Sequence, residues 1–332
     1  MRFILTEMST IISSDNYLSV DTLTLTSIKI DNNMSSEMID QFFSNQFPLL
    51  TILDCADTNI STIPELSRLI TLDCSRCRNI INIPILENLT RLDCSECEKL
   101  SNIPILKNLN VLNCQLCICL INIESLDSLT YLDCSGCINL TSIPYLKNLT
   151  SLSCMGCCSI TSVPENLQRL SYLNCSGCGN ITSIQALPCL TYIDCRECYN
   201  IITIHSLPNL ITLNCIGCGS LNSILDLPEL ITLDCSECGR LNNIPVLPKI
   251  NSLNFDYCPN LYPYTIPLKF LAKNVDLCGL PENLISDAVM YNSLNLEYIE
   301  SCLNSSDTNH SKREFLEKLI SNNVLVKSAG KC

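Results

Sequence analysis

Cysteine is the residue type in this chain whose spacing could carry chemistry. There are 26 cysteines. Ten recur at steps of 19 to 21 residues, at positions 55, 74, 94, 114, 134, 154, 175, 195, 215 and 235. Ten more follow three residues after such a position, at 77, 97, 117, 137, 157, 178, 198, 218, 238 and 258, so that most form Cys-x-x-Cys pairs. Two converging pairs would make a zinc or iron–sulfur site. A metal site closes once four ligands have met, however, and this pattern repeats without stopping. The preferred reading is that both columns point inward as small apolar groups, a role that suits buried free cysteine. It is applied to Cys74, Cys77, Cys94, Cys97, Cys134, Cys137, Cys175 and Cys178, with no metal and no other cofactor. A cysteine-rich metal-binding or structural protein stands as an alternative. Catalysis has little else to build on. His205 and His310 have no carboxylate and nucleophile at a recognisable spacing, and no glycine loop is shaped to cradle a phosphate. A non-enzymatic role is expected.

The element that must position these thiols is a repeat. From Leu50 to about Leu261, eleven copies read Leu-x-x-Leu-x-Cys-x-x-Cys-x-x-Leu-x-x-Ile-Pro-x-Leu, as in Leu69, Leu72, Cys74, Cys77, Ile80, Ile83, Pro84 and Leu86. A period of 20 residues is a solenoid signature. In Leu-x-x-Leu-x-Cys the residues at 72 and 74 have strand parity and share one face, while 71, 73 and 75 share the other. Stacked copies would pair these strands into a parallel sheet. Pro64, Pro84, Pro104, Pro144, Pro164 and Pro245 sit on the return path, where a helix interior would lose about 3 kcal/mol to each. That path is expected to be extended or 3₁₀. Phe255 and Tyr257 are expected to bulk up the core of the last copy.

These residues resemble the leucine-rich repeat family, with Cys in the third Leu slot of Leu-x-x-Leu-x-Leu-x-x-Asn/Cys-x-Leu. The resemblance covers residues 50–262, about two-thirds of the chain. The 20-residue length resembles the short bacterial class, and the cysteines resemble the cysteine-containing class. Low Ala, no Trp and abundant Asn and Ile resemble proteins of AT-rich genomes, including giant-virus repeat proteins. The family implies a horseshoe of α/β type with a parallel concave sheet, an extended convex side and small helical caps. It also implies partner binding through the concave face, without catalysis.

Three segments are expected: an N-terminal cap over 1–49, the repeats over 50–262, and a C-terminal helical cap or tail over 263–332. In the first, Leu23-Thr-Leu25 and Ile28-Lys-Ile30 alternate as strands do. A short helix is expected from Ser35 or Ser36, with Met38, Ile39, Phe42 and Phe43 on one face. In the last, Ser311-Lys-Arg-Glu314 reads as a capping box opening a helix through Ile320. A second functional reading follows from such terminal segments: an adaptor or effector that recruits host ubiquitin machinery through them.

The outward face of the expected sheet is the candidate binding surface. Its central stripe reads Asp54, Asp73, Asp93, Asn113, Asp133, Ser153, Asn174, Asp194, Asn214, Asp234 and Asn254. That stripe is either a solvated hydrogen-bonded ladder or an acidic track for a basic partner. One region breaks its monotony. Tyr131, Ser151, Tyr172 and Tyr192 occupy one outward slot of four successive copies, and Ser135, Met155, Ser176 and Arg196 another. Tyrosine, methionine and arginine together are the composition of an interface core. The predicted contact set is Tyr131, Tyr172, Tyr192, Met155, Asp133, Asp194 and Arg196, facing a protein partner.

The net charge of −13 opposes binding to a phosphate backbone. Glu7 breaks the N-terminal apolar run, and no stretch is long enough to cross a bilayer. The expected protein is monomeric, intracellular and cytoplasmic (host cytoplasm for a viral source), with its thiols reduced. Asn-x-Thr triplets at Asn88 and Asn148 are then a product of the repeat, not glycosylation sites.

Overall fold

The computed structural model describes residues 9–245 and 247–261. The chain divides into two compact units, one running to Ile181 and including Leu187–Leu190, the other made of Thr182–Ala186 and residues from Thr191 on. The expected C-terminal helices lie outside the described residues.

The first unit is a stack of parallel strands, each paired with the next in sequence. They are β1 (Thr10–Ile12), β2 (Ser27–Ile30), β3 (Ile52–Asp54), β4 (Thr71–Asp73), β5 (Arg91–Asp93), β6 (Val111–Asn113), β7 (Tyr131–Asp133), β8 (Ser151–Ser153) and β9 (Tyr172–Asn174). Register advances by one repeat per strand, so that Leu72 lies beside Leu92 and Asp73 beside Asp93. The hydrogen-bonded ladder runs beyond the strands. Cys74 N–H donates to Asp93 O at 2.8 Å, and Arg76 N–H to Ser95 O at 2.7 Å. The strand parity holds: Leu72, Cys74 and Cys77 are completely buried, as are Leu69 and Ile80. Each buried leucine contributes about 1.5–3 kcal/mol, which makes the aliphatic and sulfur stack the core.

The Asn-x-Thr triplets have a structural explanation. Asn88 Nδ2 donates to Ser67 O at 2.7 Å and Thr90 Oγ1 to Ile70 O at 3.2 Å. Asn148 and Thr150 repeat this toward Asp127 O and Thr130 O. Each triplet thus ties its coil to the one before.

In the second unit β11 (Tyr192–Asp194), β13 (Thr212–Asn214), β15 (Thr232–Asp234) and β16 (Ser252–Asn254) pair in parallel. The return path forms a second parallel sheet of β10 (Ser183–Ile184), β12 (Thr203–Ile204) and β14 (Ser223–Ile224). Sequence reading missed this sheet, and proline placement explains it. His205 N–H donates to Ile184 O and Leu225 N–H to Ile204 O, both at 3.0 Å. In earlier copies that donor position is Pro84, Pro104, Pro144 or Pro164, which has no N–H. At Pro245 the second sheet stops again. Elsewhere the return path is turns and extended chain, and no 3₁₀ helix occurs among the described residues.

Before the repeats, helix α1 (Ser36–Phe43) starts where Ser35 accepts from Met38 N–H. Ile39 and Phe42 are its buried face, and Phe42, Phe43 and Phe47 form a ring cluster. Two expectations are corrected. Leu23-Thr-Leu25 is a turn, held by Leu23 N–H on Asp21 Oδ1 and Thr24 N–H on Asp21 O, with Leu23 exposed. Phe255 does enter the core, but Tyr257 is 84% exposed, because its backbone is left-handed and turns the ring outward.

Candidate functional site

The acidic stripe is a structural device. Asp73 Oδ1 accepts the Ser75 N–H at 3.0 Å, and the same bond from stripe residue to the amide two places on recurs in ten copies, from Asp54 to Asn254. This Asx turn follows the strand in those ten copies. It carries the chain to a residue with positive φ, such as Arg76, Glu96 or Leu116 in some copies and Gly136 or Gly177 in others. Asp54, Asp73, Asp93, Asn113, Asp133 and Asp194 are consequently only 3–8% exposed. Side-chain bonds of the ladder kind do link some coils, from Asn113 Nδ2 to Asp93 Oδ2 at 2.9 Å and from Asn254 Nδ2 to Asp234 Oδ2 at 3.2 Å, but these six residues are far less solvated than expected. Burial, opposed by the Ser75 bonds, raises the Asp73 pKa.

The thiols divide into two roles. Nine cysteines of the second column, from Cys77 to Cys258, donate the S–H to the backbone carbonyl of the first-column cysteine one coil earlier. Cys97 does so to Cys74 O at 3.2 Å, Cys117 to Cys94 O at 3.1 Å and Cys137 to Cys114 O at 3.0 Å. The same carbonyl also accepts its own coil's amide, as Cys74 O does from Cys77 N–H. This ladder accounts for the second column, since an apolar side chain could not supply the donor. The first column packs in the core with weak polar contact, Cys94 Sγ lying 3.5 Å from Asn113 O. The neighbouring Cys117 thiol and complete burial hold the Cys94 pKa well above the usual thiol range. The first column is therefore unsuited to nucleophilic chemistry, whereas in the second the bond with Cys114 lowers the Cys137 pKa while the thiol stays buried. In the first copy Thr58 takes the second slot and bonds Cys55 O.

One coil departs from the pattern, and there the surface opens. Ser151 pairs in register with Tyr131 on one side and Tyr172 on the other, and Ser153 likewise with Asp133 and Asn174. Two small side chains between larger neighbours leave an open notch of about 380 Å³. Tyr131, Tyr172, Met155, Gln115, Asp133, Ser135 and Asn174 line it together with Ser151 and Ser153. Met155 is 48% exposed. Ser153 is also the one stripe residue that is neither Asp nor Asn. Among the described residues nothing accepts the Met155 N–H, the counterpart of the amide held in the other ten copies. Asp133 is the one charged lining residue. It is held in place by the Ser135 amide and hydroxyl on Oδ1 and by Gln115 on Oδ2. Burial, and then the charge of Asp133, raise the Tyr131 pKa.

Of the predicted contact residues, the first unit brings Tyr131, Asp133, Met155 and Tyr172 to this notch. Gln115, Ser151 and Ser153 were missed as participants, although the serine pair between tyrosines was the available signal. Tyr192, Asp194 and Arg196 belong to the second unit. There Arg196 folds back on its own coil, with Nε and Nη2 on the Asp194 carboxylate at 2.8–3.2 Å. Its guanidinium is thus paired within its own coil, while the side chain remains 48% exposed.

No protein-family model matches the chain, and no curated protein does either. Solved structures do. YopM from Yersinia enterocolitica aligns at TM-score 0.42 and 18% identity, over 70% of this chain and 46% of its own. A leucine-rich repeat protein from Eubacterium ventriosum aligns at 0.39 and 14%, over 73% and 79%. The functional domain of InlJ from Listeria monocytogenes, described as including a cysteine ladder, aligns at 0.25 and 21%, over 68% and 54%. The chain thus spans less than half the length of the YopM structure. The architecture rests on this chain's own coils: with the 20-residue Leu-x-x-Leu-x-Cys period, three-residue parallel strands in single-repeat register and one short helix among the described residues, it is a solenoid of stacked parallel coils.

Proposed function

We propose that the protein is a non-enzymatic interaction scaffold that binds a protein partner through the outward face of its strand sheet, centred on the notch of the first unit. The observation that carries this reading is the break in an otherwise uniform device. Ten copies satisfy the turn amide internally, and the copy that does not is also the one whose small side chains open a tyrosine-walled hollow. Tyrosine walls give large contact area at low entropic cost and are enriched where partners bind. The buried thiol columns and the Asx turns are scaffold in this reading. No reaction is assigned to them.

The test is affinity capture under reducing conditions from cells of the source. Wild type is compared with Tyr131→Ala/Tyr172→Ala and with a control pair on the return path, Ile85→Ser/Ile105→Ser, whose isoleucines are 69% and 54% exposed. A protein held by wild type and control but lost by the folded tyrosine variant supports the notch. One held equally by all three would move the binding surface elsewhere.

A further inference from the structure

We infer that the notch takes an arginine side chain of the partner, inserted between Tyr131 and Tyr172 with its guanidinium near Asp133. This assignment rests on the scaffold reading above and specifies its ligand chemistry.

Spacing comes first. Tyr131, Ser151 and Tyr172 are register neighbours on successive strands, so the two tyrosines stand two strand spacings apart, about 9.6 Å. A group on the midline over Ser151 lies about 4.8 Å from each, inside the ~6 Å reach of a cation–π contact. That gap admits one flat group between two rings. It is too narrow for a second aromatic pair and too wide for the rings to close on each other. A planar guanidinium fits it better than a compact, strongly hydrated ammonium.

Charge comes second. The lining contains one carboxylate, Asp133, and no cation. The polar groups beside it include the hydroxyls of Ser151 and Ser153, both able to accept from a guanidinium. An anionic or phosphorylated side chain would meet Asp133 in a lining of nine residues without a single positive charge to offset it. The one unmatched backbone donor, the Met155 N–H, suits a carbonyl of the incoming main chain. The bound element is therefore an extended basic segment, with its arginine in the gap and its backbone over Met155.

The full-length protein labelled at its methionine methyl groups provides the readout. There are six methionines, and Met155→Leu assigns the one at the notch. The probes are N-acetyl-glycyl-arginyl-glycinamide and its citrulline and lysine counterparts. Citrulline keeps the shape and removes the charge. The arginine probe is expected to shift the Met155 methyl saturably, at least tenfold more tightly than citrulline, with lysine between them, and to weaken as salt is raised. Ser151→Tyr fills the gap with the residue its two neighbours already carry, so it closes the site without demanding a new backbone. It is expected to abolish the shift. Equal binding of citrulline, persistence in Ser151→Tyr, or no Met155 response at all would each overturn the assignment. If partner capture still depends on Tyr131 and Tyr172 while the arginine probe leaves Met155 unmoved, arginine fails as the ligand and the binding face stands.

Discussion

Serine and alanine exchanged for Cys94 and for Cys117 should rank in opposite orders, because the two thiols do different work. Cys117 donates to Cys94 O at 3.1 Å. Its replacement by alanine forfeits that bond, about 1 kcal/mol net, together with the burial of one sulfur, comparable to a methylene at about 0.8 kcal/mol. The sum is about 2 kcal/mol. Cys94 O keeps its second donor, Cys97 N–H at 3.3 Å, so no buried acceptor is orphaned. Serine at 117 retains a donor and should cost only about 1 kcal/mol. At Cys94 the order reverses. Alanine loses the sulfur alone, about 0.8 kcal/mol. Serine adds a buried hydroxyl whose nearest acceptor, Asn113 O, is 3.5 Å from the native sulfur and already holds the Cys94 amide at 2.8 Å. That poorly matched hydroxyl adds about 1–3 kcal/mol. The serine-minus-alanine difference should therefore change sign between columns, by about 2–4 kcal/mol in all. Urea unfolding of the four full-length variants in reducing buffer, followed by circular dichroism, reads it directly. Using neighbouring coils keeps the comparison inside one cooperative region of the array. The same rank order at both positions would refute the division of roles and leave all the cysteines as plain apolar filler.

Asp73→Asn should raise the unfolding midpoint at pH 7. Asparagine can still accept the Ser75 amide, as Asn113 does for Gln115, and the buried charge is gone. Because burial raises the Asp73 pKa in the fold, its contribution is intact below the ordinary carboxylate pKa and lost as pH rises through the folded value, so the gap between variant and wild type should close in acid. Gly136→Ala should cost more than Gly156→Ala in the same unfolding assay. Both have positive φ, about 1 kcal/mol for a Cβ, but a Cβ at 136 would sit 2.5 Å from Leu116 Cδ2 and one at 156 meets nothing within 4 Å. His205→Pro should cost about 1 kcal/mol by removing the amide bond to Ile184 O, and it should expose the 183–184 and 203–204 amides to hydrogen exchange. Ser153→Asn should raise the midpoint by about 1 kcal/mol, since it supplies Met155 N–H with the acceptor that the other copies possess.

The period, the strand parity and the buried fate of the cysteines were legible because each is a one-dimensional pattern: residues 72 and 74 must share a face whatever lies around them. The second sheet was not, although its cause is written in the chain. It forms only where two successive copies both lack proline at the position of Gln185, His205 and Leu225, a condition on neighbours and not on one repeat. The burial of part of the stripe was missed for a related reason. Asp73 does point away from the core, but its carboxylate bends to the Ser75 amide and is buried by that bond. Parity gives the direction of Cβ and says nothing of where the polar tip finds a partner. The Arg196 pairing was hidden in the same way, since its guanidinium reaches Asp194 two residues away. The notch was legible in its tyrosines and Met155, and its opening came from Ser151 and Ser153, whose importance lies in what they leave empty.

The central claim is that one interrupted coil of the first unit is the binding site while the repeated features are scaffold. Partner capture by the double variant Ser151→Tyr/Ser153→Asn tests it most directly, because both changes install residues that neighbouring coils already carry. A folded variant with an unfolding midpoint at or above wild type that no longer retains the partner is the predicted result. A variant that retains the partner as wild type does, with the notch filled and the Met155 amide satisfied, would contradict the claim.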